Sequence, residues 1–124
     1  MDFAYTPKTQ EILARVQKFM DDHIVPRIAQ YNEEIHAGNY PVSFMADLRE
    51  LAKSEGLWNM FLPHLKDDEP GTRLTNLEYA PVAELTGRVG WAPEVFNCNA
   101  PDTGNMELLH MFATEEQREQ WLNP

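Results

Sequence analysis

Two pairs of residues have the spacing of a metal site: Glu33 with His36, and Glu107 with His110, each reading E-x-x-H. Residues three apart on a helix point the same way. Two such pairs on separate helices can therefore share two metal ions, provided that two further helices each add a bridging carboxylate. Glu50, Glu55, Glu78 and Glu84 are available for that role, so the donor set of a di-metal carboxylate bundle is formally complete. Placement argues against it. Glu33 and His36 stand less than a turn and a half before Gly38, at a helix end, whereas a buried metal pair needs a mid-bundle position with supporting hydrogen bonds around it. The spacing also arises easily by chance in an acidic helical chain. Ion-paired or solvated helix faces are the expected roles, and no metal ligand is assigned.

The other reactive side chains offer less. His23 reads as a core-edge residue of the first helix and His64 as a loop residue, and neither has a partner at metal spacing. Cys98 is the single cysteine, so an internal disulfide is excluded and a small buried packing residue is expected. Trp58, Trp91 and Trp121 fall in connecting or terminal segments and read as packing anchors between helices. No hydrolase elbow, phosphate-cradling glycine loop, dinucleotide turn or zinc spacing occurs.

The elements that carry these residues are all helical. Thr6 and Pro7 pair an N-cap with an N1 proline, and Ile12, Val16, Phe19, Met20, His23, Ile24 and Ile28 follow at helical spacing. Pro26 should kink this first helix, at a cost of about 3 kcal/mol if it stays continuous, and Gly38-Asn39 should end it. Pro41 opens a second helix running to Gly56, and Leu57 to Pro63 reads as an extended strip laid over the bundle. Asp67-Asp68-Glu69-Pro70-Gly71 reads as a mobile surface loop. Thr75 and Glu78 form a capping box that begins a third helix, with Pro81 inside it and Gly87 near its end. Trp91-Ala92-Pro93 starts a fourth, reaching about Ala113 with an interruption at Pro101 to Gly104, as two short pieces or as one kinked helix. Thr114 and Gln117 repeat the capping logic, and Phe112, Gln117 and Trp121 prepare a last amphipathic turn that ends at Asn123-Pro124. With no strand-period alternation and short connections, the expected class is an all-α antiparallel helical bundle. Its 124 residues fit one domain, 1-124.

Charge narrows the partners. Ten Lys and Arg against twenty Asp and Glu give a formal charge of -10, a field that repels phosphate backbones and anionic lipid, so nucleic-acid binding is not expected. No apolar run approaches the roughly 20 residues needed to span a bilayer. Met1-Asp2-Phe3 lacks the basic start of a leader, so a cytoplasmic protein is expected, or a mitochondrial one whose transit peptide has been removed.

Several stretches resemble the acyl-CoA dehydrogenase family. They are Tyr40-Pro41, Leu48-Arg49, Leu51-Ala52, Gly56-Leu57-Trp58-Asn59, the run from Leu74 to Pro81, the run from Trp91 to Glu107, and Thr114-Glu115-Glu116-Gln117 with Trp121-Leu122. The run from Trp91 to Glu107 is the most specific. Within the family the chain is most similar to the branch of family members 10 and 11. It departs from the family pattern at Asp67 to Arg73, where many relatives carry a glycine-rich G-G-x-G loop.

The resemblance implies the N-terminal helical domain of a three-domain flavoprotein. Such an enzyme uses FAD: a carboxylate takes the α proton of an acyl-CoA thioester while a hydride leaves the β carbon for the flavin N5, and electron-transfer flavoprotein collects the electrons. The β middle domain, the C-terminal helical domain, the catalytic base and most flavin contacts are expected outside residues 1-124. The acidic balance agrees, since an anionic CoA ester needs cations from elsewhere. This segment alone is expected to be inactive, and the full-length form to be a homo-oligomer. What the resemblance carries onto this chain is one wall of the acyl pocket, formed by Val95, Phe96, Asn99, Ala100 and Thr103, with Val95, Asn99 and Thr103 at i, i+4 and i+8 on one helix face. Asn99 and Thr103 are polar for a purely aliphatic tail, which implies a substrate bearing an oxygen or a branch. A free-standing helical interaction module is the alternative from another class.

Overall fold

The computed structural model describes residues 4–63, 65–69 and 71–122. His64, Pro70, Met1-Asp2-Phe3 and Asn123-Pro124, all used above, lie outside them. Every element among the described residues is helical, in agreement with the all-α class.

Helix α1 (Pro7–Phe19) begins where the Thr6 hydroxyl accepts the Thr9 N–H at 3.1 Å, with Pro7 in the first turn. The chain then widens into a π-helical turn, Met20–Ile24, and tightens into a 3₁₀ turn, Val25–Arg27, before α2 (Ile28–His36). Pro26 explains the change. It has no N–H to give the carbonyl four residues back and its ring crowds that turn, so the expected kink takes the form of altered winding. Ile12, Val16, Phe19, Met20 and Ile24 all reach the core across this change.

Two glycines close helices as their positions promised. Gly38 (φ +79°) ends α2, where its N–H reaches the Ile35 carbonyl at 3.0 Å and that of Asn39 reaches Glu34 at 2.9 Å. Gly56 (φ +68°) ends α3 (Met45–Ser54) by the same closure, with bonds to Lys53 at 3.0 Å and from Leu57 to Ala52 at 2.8 Å. Leu57 is thereby turned inward and fully buried.

Helix α3 starts at Met45, not at Pro41. The Glu34 carboxylate accepts the Ser43 N–H at 2.6 Å and its hydroxyl at 2.7 Å, which ties the approach to α2 while Val42 and Phe44 turn into the core. Residues 57–63 are also not an extended strip. They turn repeatedly, with Asn59 at φ +52° and the Leu62 N–H on the Asn59 carbonyl at 3.1 Å, so that Leu57, Met60 and Leu62 all point inward.

Helix α4 (Asn76–Thr86) opens with the anticipated capping box: Glu78 N–H donates to the Thr75 hydroxyl at 3.2 Å, and Thr75 N–H to the Glu78 carboxylate at 2.8 Å. Pro81 sits inside the helix without ending it. Lys8 Nζ donates to the Glu78 carboxylate at 3.2 Å and to the Arg73 carbonyl at 2.7 Å, which pins α1 to the start of α4. The Thr75 N–H, foremost, holds the Glu78 carboxyl below its ordinary range. A lowered carboxyl stabilises the fold above the unfolded value, and that share is lost as pH falls through the folded one. Thr75→Ala is expected to cost about 1 kcal/mol at neutral pH in denaturant titrations. The stability gap between wild type and Glu78→Gln should shrink on acidification, and a gap that stays constant would refute the assignment.

Helix α5 (Ala92–Val95) is a single turn, and α6 (Asp102–Phe112) and α7 (Glu115–Trp121) follow it. The fourth helix is thus broken between Val95 and Asp102, ahead of the expected interruption. Asn97, at φ +55°, takes the role that glycine plays after α2 and α3: its N–H reaches the Glu94 carbonyl at 3.2 Å and that of Cys98 reaches Pro93 at 2.8 Å. The Thr114 hydroxyl caps α7, with Gln117 completing a second box.

Trp91 anchors the core as anticipated, stacked on Tyr31 at 4.9 Å and beside Phe44. Trp58 is half-buried under Lys53. Trp121 is not an anchor: it is 66% exposed, and neither α6 nor α7 buries a residue. No helix among the described residues is long and apolar enough to cross a membrane.

Candidate functional site

Two concavities lie on either side of the α5–α6 corner. The first, about 460 Å³, is lined by Tyr31, Tyr40, Gly90, Trp91, Glu94, Asn99 and Ala100. Its charged group is engaged already. Glu94 pairs with Arg49 at 3.2 Å and accepts from the Tyr40 hydroxyl at 3.3 Å, and this carboxylate raises the Tyr40 phenol above its usual range. One polar atom is unsettled: Asn99 Oδ1 is buried and has no hydrogen-bond partner among the described residues.

The second, about 860 Å³, is a groove between the body of the domain and the α6–α7 hairpin. Trp58, Leu62 and Leu65 line its body side, and Met106, His110, Arg118 and Leu122 its hairpin side. Asn97 Nδ2 donates to Asn59 Oδ1 at 2.7 Å and approaches Met106 Sδ at 3.3 Å, so two left-handed asparagines join the segments at the groove's inner end. Asn97 escaped the sequence reading. The available signal was that asparagine is, after glycine, the residue that closes helices at positive φ.

The five residues expected to wall an acyl pocket do not share one helical face, because the helix they were placed on is broken. Asn99 and Ala100 line the first cavity. Val95 and Phe96 are fully buried, Phe96 packing edge-on against Phe19 at 5.1 Å. Thr103 is half-buried in the first turn of α6, its N–H on the Asn99 carbonyl at 3.1 Å.

Each E-x-x-H histidine is bonded elsewhere. His36 Nδ1 lies 2.6 Å from the Asn32 carbonyl on an exposed helix end, and His110 Nε2 lies 2.9 Å from Glu69. Among the described residues no group of three or more His, Cys, Asp or Glu side chains is placed to hold a metal. Cys98 is half-buried, its Sγ 3.3 Å from the Phe96 carbonyl, and burial pushes the thiol up, which keeps it protonated and unreactive. His23 sits at the core edge against Phe19, at 5.0 Å.

The family profile described as acyl-CoA dehydrogenase, N-terminal domain, matches residues 6–124. The chain belongs to the acyl-CoA dehydrogenase family. It is 47% identical to acyl-CoA dehydrogenase family member 11 of Gallus gallus over 98% of its own length and 16% of that protein's. It is 48% identical to FadE2 of Mycobacterium tuberculosis, assigned as an acyl-CoA dehydrogenase, over 100% of its own length and 30% of that protein's. A solved structure assigned as an acyl-CoA dehydrogenase of Mycobacterium abscessus superposes with a TM-score of 0.83 at 41% identity, covering 98% of this chain and 32% of that one. The chain thus spans less than a third of the length of these relatives and corresponds to the family's helical N-terminal domain.

Proposed function

We propose that this domain works within an FAD-dependent acyl-CoA dehydrogenase that introduces a double bond between the α and β carbons of an acyl-CoA thioester. The observation that carries this reading is the family match across residues 6–124 together with the shared helical fold. FAD supplies the hydride acceptor in such an enzyme. Neither concavity beside the α5–α6 corner makes a cradle for it. Carboxylates line both concavities, Glu94 in one and Asp68, Glu69 and Glu115 in the other, and they disfavour a pyrophosphate. Of the groove's basic groups, His110 and Arg118 face Glu69 and Lys53 pairs with Glu50, while Lys66 adds a further cation. In this reading the cofactor and the base that takes the α proton fall to residues beyond this domain, and the domain alone is inactive.

The contribution of this chain is steric and polar lining. Ala100 offers a small surface to an acyl chain and Asn99 an amide beside it, while Val95 and Phe96 support the corner from beneath. Asn99 Oδ1, buried without a partner among the described residues, is an acceptor that a plain aliphatic tail would leave unsatisfied. An acyl chain bearing a hydroxyl suits it better. Leu108, Met111 and Phe112 of α6 and Trp121 of α7 are all more than half exposed, apolar groups that the rest of the enzyme or another subunit would cover. Electron-transfer flavoprotein is the expected electron acceptor, and the compartment is the cytoplasm or the mitochondrion.

The full-length protein tests this reading. It should purify with flavin absorbance and reduce an electron acceptor when given acyl-CoA, and absence of both would sink the proposal. Hydroxylated acyl-CoAs should be preferred, and Asn99→Leu should reduce that preference by roughly 2- to 10-fold in kcat/KM. A wild-type preference for plain chains would remove the hydroxyl from the substrate.

A further inference from the structure

The α6–α7 hairpin has no fully buried residue, so apolar burial, limited to the half-buried Met106, Leu109 and Leu122, holds it to the body only weakly. Its position rests on the chain connection through Asn97–Pro101, the contact of Asn97 with Met106, that partial apolar cover, and one charged cluster. Glu69, from the segment on the opposite side of the 860 Å³ groove, is the hub of that cluster. Its Oε2 lies 2.9 Å from His110 Nε2 on α6, and its Oε1 lies 3.7 Å from Arg118 Nη1 on α7. Arg118 Nη2 donates to the His110 carbonyl at 2.6 Å, which locks the two helices to each other at the same place. The side chains of His110, Glu69 and Arg118 are only 13%, 20% and 23% exposed, whereas both partners are solvent-facing in Lys18–Asp22, Lys53–Glu50 and Arg73–Asp67. A shielded cluster of this kind couples its elements more strongly than a surface pair does.

The segment that carries Glu69 is braced from within. Lys66 N–H donates to Glu69 Oε2 at 2.7 Å, and the Arg73 guanidinium donates to the carbonyls of Lys66, Asp67 and Glu69. Glu69 is thus presented to the hairpin by a surface turn with hydrogen bonds of its own.

We propose that Glu69 is a strap. It fastens the α6–α7 hairpin across the groove, and breaking its contacts lets the hairpin swing about residues 97–101 and opens the groove without unfolding the body. The device is independent of which ligand the domain serves.

Hydrogen–deuterium exchange followed residue by residue on the chain tests it, comparing wild type with Glu69→Gln, Arg118→Gln and the double variant. Asp68→Asn is the control, since it removes the same charge one residue away from the hub. Exchange of α6 and α7 amides should rise about tenfold in Glu69→Gln, with α1 and α4 unchanged and the double variant no faster than the single ones. Asp68→Asn should match wild type. Unchanged hairpin exchange, an equal rise throughout the molecule, or the same rise in Asp68→Asn would each overturn the proposal. A loss of folding in both Glu69→Gln and Arg118→Gln would overturn it as well, because a strap on a hairpin with no fully buried residue must be dispensable to the body.

Discussion

Replacing Phe96 by alanine is expected to lower stability by about 3–5 kcal/mol in denaturant titration, the range for truncating a buried aromatic. Total stabilities of domains this size run to roughly 5–15 kcal/mol, so the variant should sit near the edge of folding. Phe96 is fully buried, meets Phe19 edge-on at 5.1 Å, and offers its carbonyl to the Asn59 N–H at 3.1 Å. Truncation therefore opens a void where α1, α5 and the 57–63 turn meet. The experiment separates two roles. A residue that only walls a ligand pocket would leave the melt close to wild type and change KM in the full-length enzyme. Ala100→Val, at an exposed position lining the 460 Å³ cavity, should behave in that second way.

The second large effect is expected at Gly71. Its φ of +140° is a conformation that side-chain-bearing residues rarely adopt, and a Cβ there would fall 2.6 Å from Leu65 Cδ1, 3.2 Å from Asn59 Cβ and 3.4 Å from the Trp58 carbonyl. The end of Leu65 can swing aside. Asn59 cannot, because it is held in a left-handed turn with its amide oxygen bonded to Asn97 at 2.7 Å. Backbone strain and overpacking together put Gly71→Ala at a loss on the order of 3 kcal/mol. Gly90→Ala is the natural comparison, since a Cβ there has no atom within 4 Å, and it should be neutral or slightly stabilising. If the two variants melted together, the tight packing around Gly71 would be wrong.

What could be read in the sequence follows the range of the interactions involved. The caps at Thr6, Thr75 and Thr114 and the closures at Gly38 and Gly56 were legible because each is made within a few residues by backbone rules. The family was legible because a run such as Trp91 to Glu107 is specific in itself. The break after Val95 was hidden because asparagine closes helices less often than glycine does, and an unbroken helix puts Val95, Asn99 and Thr103 on one face. The bond between Glu69 and His110 spans 41 residues, and nothing local in an Asp-Asp-Glu run announces it. The late start of α3 has the same kind of cause, since Glu34 reaches forward nine residues to Ser43. Trp121 was misread because an amphipathic turn shows which face is apolar, not whether anything is present to cover it.

The π-helical turn at Met20–Ile24 bears on how chain length can vary at this place. Such a turn is a regular helix with one residue too many. Removing a residue there would take up the extra residue and leave α2 nearest its present phase with α1, while Pro26 would still deny the ladder one rung. Removing one anywhere else in α1 would rotate α2 by about 100° around its axis and carry Tyr31 off the face of Trp91. Among descendants of this sequence, single-residue deletions in the first helical stretch should therefore gather at these five positions and be purged elsewhere along it.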